Sequence, residues 1–333
     1  MALTPNIKRL AICMPPRVTY GVDGSSDRAT PLPLYPKYWD RIDTFFFRSV
    51  FREAVQVALA KVPKRGRVHP FRHLREVDIY TPDATGTAFR PFTELMQLPT
   101  LKRIHFFSCN NAGGLLYRKM TGRPERHIRV RDLIIDNFSV LHGQGSNYLP
   151  QVLGCFESLE YFELGTYPRD GELESLLRSQ RKSLQSLVLP NGGYKGRWAT
   201  LGSLYGFTAL KYFKCRVWAL EKGDLKDNLP ASLERLTLVK TIVEDATEAL
   251  EDVTEALEDV AEALEELSYS VLANIFPHLQ RICIEVARMP RVRPRPDGTP
   301  SPDRQARRRM LARLKENFRA RGVEFCVTAV QSR

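Results

Sequence analysis

The chain lacks the residue sets that announce a reaction. It has no G-x-x-x-x-G-K-[ST] loop to cradle phosphates, no G-x-S-x-G nucleophile turn and no H-E-x-x-H pair. His142-Gly-Gln-Gly-Ser-Asn147 is the one glycine-rich fragment beside an expected strand, and it lacks the third glycine and the helix start of a dinucleotide site. No enzyme activity is therefore expected. No stretch approaches 18 apolar residues, which argues against a transmembrane helix and a membrane partner. Met1-Ala2-Leu3-Thr4-Pro5 carries no basic segment followed by an apolar core, so no secretory leader is expected. The six cysteines (Cys13, Cys109, Cys155, Cys215, Cys283 and Cys326) contain no C-x-x-C pair. They read as small apolar fillers in a reducing compartment, which implies an intracellular protein, cytoplasmic or nuclear. The six histidines show no metal-ligand spacing, and His69 and His73, four apart, have no cysteine or acid pattern to complete a site. No metal and no other cofactor is expected.

What the chain does have is a recurring spacing, apolar-x-x-apolar-x-apolar. The copies are Ile7/Leu10/Ile12, Leu74/Val77/Ile79, Leu101/Ile104/Phe106, Val130/Leu133/Ile135, Leu159/Phe162/Leu164, Leu184/Leu187/Leu189, Leu210/Phe213/Cys215, Leu233/Leu236/Leu238, Leu279/Ile282/Ile284 and, in weaker form, Gly322/Phe325/Val327. From Leu74 to Leu233 the first positions step by 27, 29, 29, 25, 26 and 23 residues. A fixed motif at that period predicts an α/β leucine-rich-repeat solenoid, with irregular repeats of about 23–29 residues, a parallel sheet and helices on its outer face. The whole of 1–333 reads as one such domain, and a monomer is expected.

Within each repeat the last two apolar positions alternate with polar ones, the period of a half-buried strand. The stretches between triplets read as loops and helices. Asp170 to Ser183 is the clearest helix, with Leu173, Leu176 and Leu177 on one face. Ala88 to Leu98 and Leu149 to Phe156 read as shorter ones, and Asp40 to Val62 as a long one. Residues 15–38, rich in Pro, Gly, Asp and Ser, read as a loop insertion, and Asn110 to His127 as a polar loop. Residues 244–267 read as an acidic helical insertion of three near-identical heptads, in which Ala246, Leu250, Val253, Leu257, Val260, Leu264 and Leu267 make one apolar seam packed on the outer face. Residues 289–303 read as an extended linker rich in Pro and Arg within the last repeat. Arg304 to Arg321 follows as a basic helix whose Met310, Leu311, Leu314 and Phe318 face the core.

Charge is segregated. Fifty Lys and Arg against 38 Asp and Glu give +12, yet Glu244 to Glu266 holds eleven acids and no base, leaving about +23 on the rest. A basic body suits acidic partners, and Arg307, Arg308 and Arg309 mark where nucleic acid or a nuclear-import receptor would engage. Nucleic-acid association is accordingly the alternative reading, although no aromatic platform interleaves the arginines.

The main reading is geometric. In each triplet the residues flanking the second and third apolar positions point away from the core, toward the concave face. Tyr80, Phe107, Ile134, Tyr161 and Tyr212 there form an aromatic and apolar band rimmed by charges such as Arg103, His105 and Lys214. That composition suits a protein partner. These eight residues are the expected protein-binding site, and no catalytic residue is expected.

Four phrases carry a family resemblance: Leu98-Pro-Thr-Leu-Lys-Arg-Ile-His-Phe106, Phe156-Glu-Ser-Leu-Glu-Tyr-Phe-Glu-Leu164, Leu229-Pro-Ala-Ser-Leu-Glu-Arg-Leu-Thr-Leu238 and Phe276-Pro-His-Leu-Gln-Arg-Ile-Cys-Ile284. The chain resembles the degenerate leucine-rich repeats of fungal F-box and F-box-like proteins over nearly its whole length. The resemblance implies a non-catalytic scaffold whose repeats recruit a substrate for an F-box-type ubiquitin ligase. It covers the repeats and not an F-box, because the first strand is expected at Ile7 and the helix from Asp40 does not read Leu-Pro-x-Glu-Leu.

Overall fold

The computed structural model describes residues 7–13, 71–80, 95–107, 128–136, 149–165, 172–189, 203–216, 228–240, 264–265, 267–269, 271, 274–287 and 302–330. Every triplet lies on a strand or at its edge. The strands are β1 (Arg9–Cys13), β2 (Glu76–Tyr80), β3 (Arg103–Phe107), β4 (Asp132–Ile135), β5 (Tyr161–Leu164), β6 (Ser186–Val188), β7 (Tyr212–Arg216), β8 (Arg235–Lys240), β9 (Arg281–Ala287) and β10 (Glu324–Val330). Among the described residues the strands pair in parallel and follow chain order, with helices between some of them, an α/β arrangement. Parallel strands need crossovers of a dozen residues or more, which the repeat period supplies. The chain divides into two compact units, Met1–Leu159 and Glu160–Arg333.

In the first unit the register follows the triplets. Leu10 pairs with Val77, Val77 with Ile104 and Ile104 with Leu133; Ile79 pairs with Phe106, and Phe106 with Ile135. Together with Leu74, Leu101, Val130 and Leu159, the members from β2 onward are buried and make ladders of like side chains. A slip of one residue would turn every one of them to the other face, so the pattern fixes the register.

The second unit repeats the scheme. Phe162, Leu187, Phe213, Leu236, Ile282 and Phe325 stand in register and are buried. Cys215, Leu238 and Ile284 make the next buried ladder. Val327, the next member after Ile284, is 48% exposed. The triplet reading made it a core position. Its strand is last in the sheet order, and no described strand lies in register on its far side.

The two-residue gap between the first and second apolar positions has a backbone cause. At the head of most strands one carbonyl accepts the N–H groups of two successive residues at the start of the following strand. Arg75 O accepts from Lys102 and Arg103 at 2.8 and 3.0 Å, and Lys211 O accepts from Glu234 and Arg235 at 2.8 Å each. The two polar residues of the gap bring those donors. Just upstream a tight turn delivers the first apolar residue to the core, as in Leu101 N to Leu98 O at 3.1 Å and Leu210 N to Phe207 O at 3.0 Å.

Helices fill the space between strands. Helix α1 is Leu149–Gly154. Helix α2 runs only Glu172–Leu177, followed by a 3₁₀ turn Arg178–Gln180, where a single helix over Asp170 to Ser183 was expected. Leu173, Leu176 and Leu177 are buried as their spacing predicts. The helix stops because Gln180 O takes the N–H groups of both Ser183 and Leu184, which turns the chain in toward β6. Helix α3, Pro302–Arg319, begins inside the stretch read as an extended linker, since proline is well suited to the first helical turn, where its missing N–H costs nothing. Leu314 and Phe318 are buried, while Met310 and Leu311 are only half-buried. Phe318 stacks on Phe325 of β10 at 5.6 Å. The end of α3 explains the weak last triplet. Val323 N bonds Phe318 O and Gly322 N bonds Arg319 O, both at 3.0 Å, with Gly322 at φ +74. This is a Schellman cap, whose left-handed position favours glycine over leucine.

The expected loop 15–38, the helices at Asp40 to Val62 and most of Ala88 to Leu98, the loop Asn110 to His127, and residues 289–301 lie outside the described residues. So does most of the acidic heptad segment. Its end, 264–265 and 267–269, is helical, with Leu264 and Leu267 buried and Glu265 paired to Arg313 of α3.

Candidate interaction surface

The residues between the buried ladders face away from the core and line up in register across the strands. In the first unit they are Arg9, Glu76, Arg103 and Asp132 in one column, and Ala11, Asp78, His105 and Ile134 in the next. A line of polar side chains crosses these strands. Arg9 Nε donates to Asp78 Oδ2 at 2.6 Å. Asp78 Oδ1 lies 3.8 Å from His105 Nδ1, and His105 Nε2 lies 2.9 Å from Asp136 Oδ2. Phe107, two residues along β3, sets its ring 3.5 Å from the His105 ring at 35°. Asp78 is buried at 7% exposure, tolerable because a guanidinium satisfies it. Both ring nitrogens of His105 face carboxylates, Asp136 at hydrogen-bond distance and Asp78 beyond it.

Of the expected band in this unit, Arg103 is exposed and His105 and Phe107 are half-buried. Tyr80 has its backbone in β2, and its side chain lies outside the described residues. Ile134 departs from expectation: it is buried at 2% exposure. It stands in the middle outward column, with His105 of β3 as its register partner. Val188 and Thr237 are buried in the same column of the second unit.

The second unit's face carries Tyr161, Tyr212 and Lys214, all half-buried. Tyr161 OH donates to Glu163 Oε2 at 2.5 Å. The Arg235 guanidinium sits 5.0 Å above the Tyr212 ring, a cation–π arrangement between register partners. Lys214 Nζ reaches Glu285 Oε2 at 2.7 Å, passing over β8, where Thr237 is small enough to let it cross. At the head of the strands Lys211 pairs with Glu234 at 2.8 Å, and that hydrogen bond holds the Glu234 carboxyl below the usual range.

The sequence reading put Asp136, Glu163 and Arg235 in the outward columns without making them site residues, and it did not include Glu285. Asp136, Glu163, Arg235 and Glu285 fix the orientation of His105, Tyr161, Tyr212 and Lys214. Their position in the outward columns was a usable signal, because equal triplets imply equal register. It also missed Tyr205 and Tyr269, the most exposed of the large hydrophobic side chains described, at 68% and 65%. They lie outside the strand columns, Tyr205 in the turn before β7.

Chemically, each described face offers rigid aromatic edges and charges already matched to partners. Among the described residues no group of His, Cys, Asp or Glu is placed to hold a metal ion, and no helix is long and apolar enough to cross a membrane. Compared with known proteins, the chain matches no family model and no curated protein.

Proposed function

We propose that the chain is a leucine-rich-repeat interaction protein, without catalytic activity of its own, that binds a protein partner through the outward columns of its sheet. The observation that carries this reading is the outward face itself: half-buried Phe107, Tyr161 and Tyr212, each oriented by a neighbouring polar group. Aromatic side chains held in one orientation lose little entropy on binding, and buried aromatic anchors dominate interface energies, at about 2 kcal/mol or more each. The strand-by-strand register of the triplets supports the repeat reading. The resemblance to fungal F-box-like repeats suggests the partner's role: a substrate delivered to a ubiquitin ligase. The face mixes acids with bases, which favours protein over nucleic acid as the partner.

The test is a capture from extract of the source cells with three variants, Phe107→Ala, Tyr212→Ala, and Arg307→Ala/Arg308→Ala/Arg309→Ala. The reading expects specific protein partners to be lost with either aromatic variant and retained with the arginine variant. Nucleic acid retained at low salt, and lost only with the arginine variant, would replace this reading with the nucleic-acid alternative.

A further inference from the structure

Three of the cysteines whose side chains are described lie on strands, and they are of two chemical kinds. Cys215 is wholly buried in a core ladder between Phe-, Leu- and Ile-bearing strands, and burial pushes its thiol far up. It is the apolar filler that the composition suggests. Cys283 and Cys326 are different. They occupy the second outward column, where β5 to β8 carry Glu163, Val188, Lys214 and Thr237, so no core demands a sulfur there. They are register partners on β9 and β10. Both are half-exposed. Neighbouring strands run about 4.8 Å apart, inside the span of about 4.4–6.8 Å between Cα atoms that a disulfide bridges.

The surroundings of the two sulfurs are unequal. Arg281 Nη2 donates to Cys326 Sγ at 3.6 Å. Cys283 Sγ lies 3.5 Å from Thr328 Oγ1. The Arg281 guanidinium therefore sits beside the Cys326 sulfur, whereas the Cys283 sulfur has the neutral Thr328 hydroxyl beside it and burial pushes its thiol up.

We propose that Cys283 and Cys326 are an oxidisable dithiol, in which Cys326 reacts first with a hydroperoxide and Cys283 then closes a disulfide between β9 and β10. In the first step Cys326 sulfur, as the thiolate, attacks the hydroperoxide. An S–O bond forms, the O–O bond breaks, and the departing alkoxide takes up the proton that Cys326 released and leaves as the alcohol. In the second step Cys283 sulfur attacks the sulfenic acid. The S–S bond forms, the S–O bond breaks, and the hydroxide leaves as water with the Cys283 proton. The two thiols lose two electrons and the peroxide gains them. The product ties α3 and the last strand of the sheet order to β9, closing a long excursion of chain that otherwise depends on non-covalent packing. The inference is independent of the interaction reading above.

The test treats the reduced full chain with hydrogen peroxide at low molar excess and maps peptides without reduction. The expected product is the Cys283 peptide linked to the Cys326 peptide within one molecule, with a loss of about 2 Da from the sum, reversed by dithiothreitol. In Cys283→Ser the expected product is a Cys326 sulfenic acid captured by dimedone; in Cys326→Ser, Cys283 stays a free thiol. Peroxide-treated wild-type chain in which both thiols remain free while Cys155 oxidises would overturn the proposal. So would a dimedone adduct at Cys326 as abundant in wild type as in Cys283→Ser.

Discussion

Leu238 and Val327 share one apolar column, and their contrast tests the sheet quantitatively. Leu238 stands between Cys215 and Ile284 in register and is 1% exposed, whereas Val327 lies on the last strand and is nearly half-exposed. Leu238→Ala removes three carbon groups at about 0.8 kcal/mol each, or about 2.4 kcal/mol of transfer free energy. The cavity left between two fixed neighbours adds to this, giving about 3–4 kcal/mol in all. Val327→Ala removes two groups that remain largely in water and have no in-register neighbour on one side, so it costs less than about 1 kcal/mol. In urea, with a slope of about 2 kcal/mol/M, the Leu238→Ala midpoint falls by about 1.5–2 M and the Val327→Ala midpoint by less than about 0.5 M. Both are read by circular dichroism, with the slope checked for constancy. Equal shifts, or a larger shift for Val327→Ala, would refute the register on which the whole description rests.

Other consequences follow from single features. Asp78→Ala leaves Arg9 and His105 without the carboxylate between them and should lower stability by about 1–3 kcal/mol, measured by the same unfolding assay. The Glu234 carboxyl, depressed mainly by its hydrogen bond from Lys211 and carried on an exposed side chain, should titrate by NMR below an ordinary glutamate and move up in Lys211→Ala. Because its folded pKa is lowered, its small contribution to stability is present above the unfolded value and is lost as pH falls through the folded one. The Cys215 thiol should resist alkylation in the folded chain and react on unfolding, whereas Cys283 and Cys326 should be accessible without unfolding. Deleting Asp252–Glu258, one whole heptad, keeps the apolar seam in phase and should shift the thermal midpoint by no more than about 4 °C.

Much of this sheet was legible in the sequence because a parallel register repeats one local rule. Two polar residues between Leu101 and Ile104 supply the paired donors to Arg75 O, and the same arithmetic holds at Lys211 and Glu234. The pattern could not tell interior from edge, so Val327 read as core. Nor could it tell exposure within a column. Ile134 and Phe107 both read as outward, but of the two only Ile134 is buried. Helix limits were set by hydrogen-bond competition at Gln180 and by the Schellman cap at Gly322, which apolar spacing does not encode. Partnerships across strands, such as Lys214 with Glu285 over Thr237, depend on three side-chain lengths at once and became visible only with the register in place.

The central claim is that the outward columns of the sheet receive a protein. Hydroxyl-radical footprinting of the chain with a captured partner, against the chain alone, measures this directly, since oxidation reports the exposure of individual side chains. The account expects lower oxidation at Phe107, at Tyr161 and Tyr212, or at both sets, with Tyr269 and the α3 residues Met310 and Leu311 unchanged. Protection confined to α3, with Phe107, Tyr161 and Tyr212 as reactive as in the free chain, would contradict it.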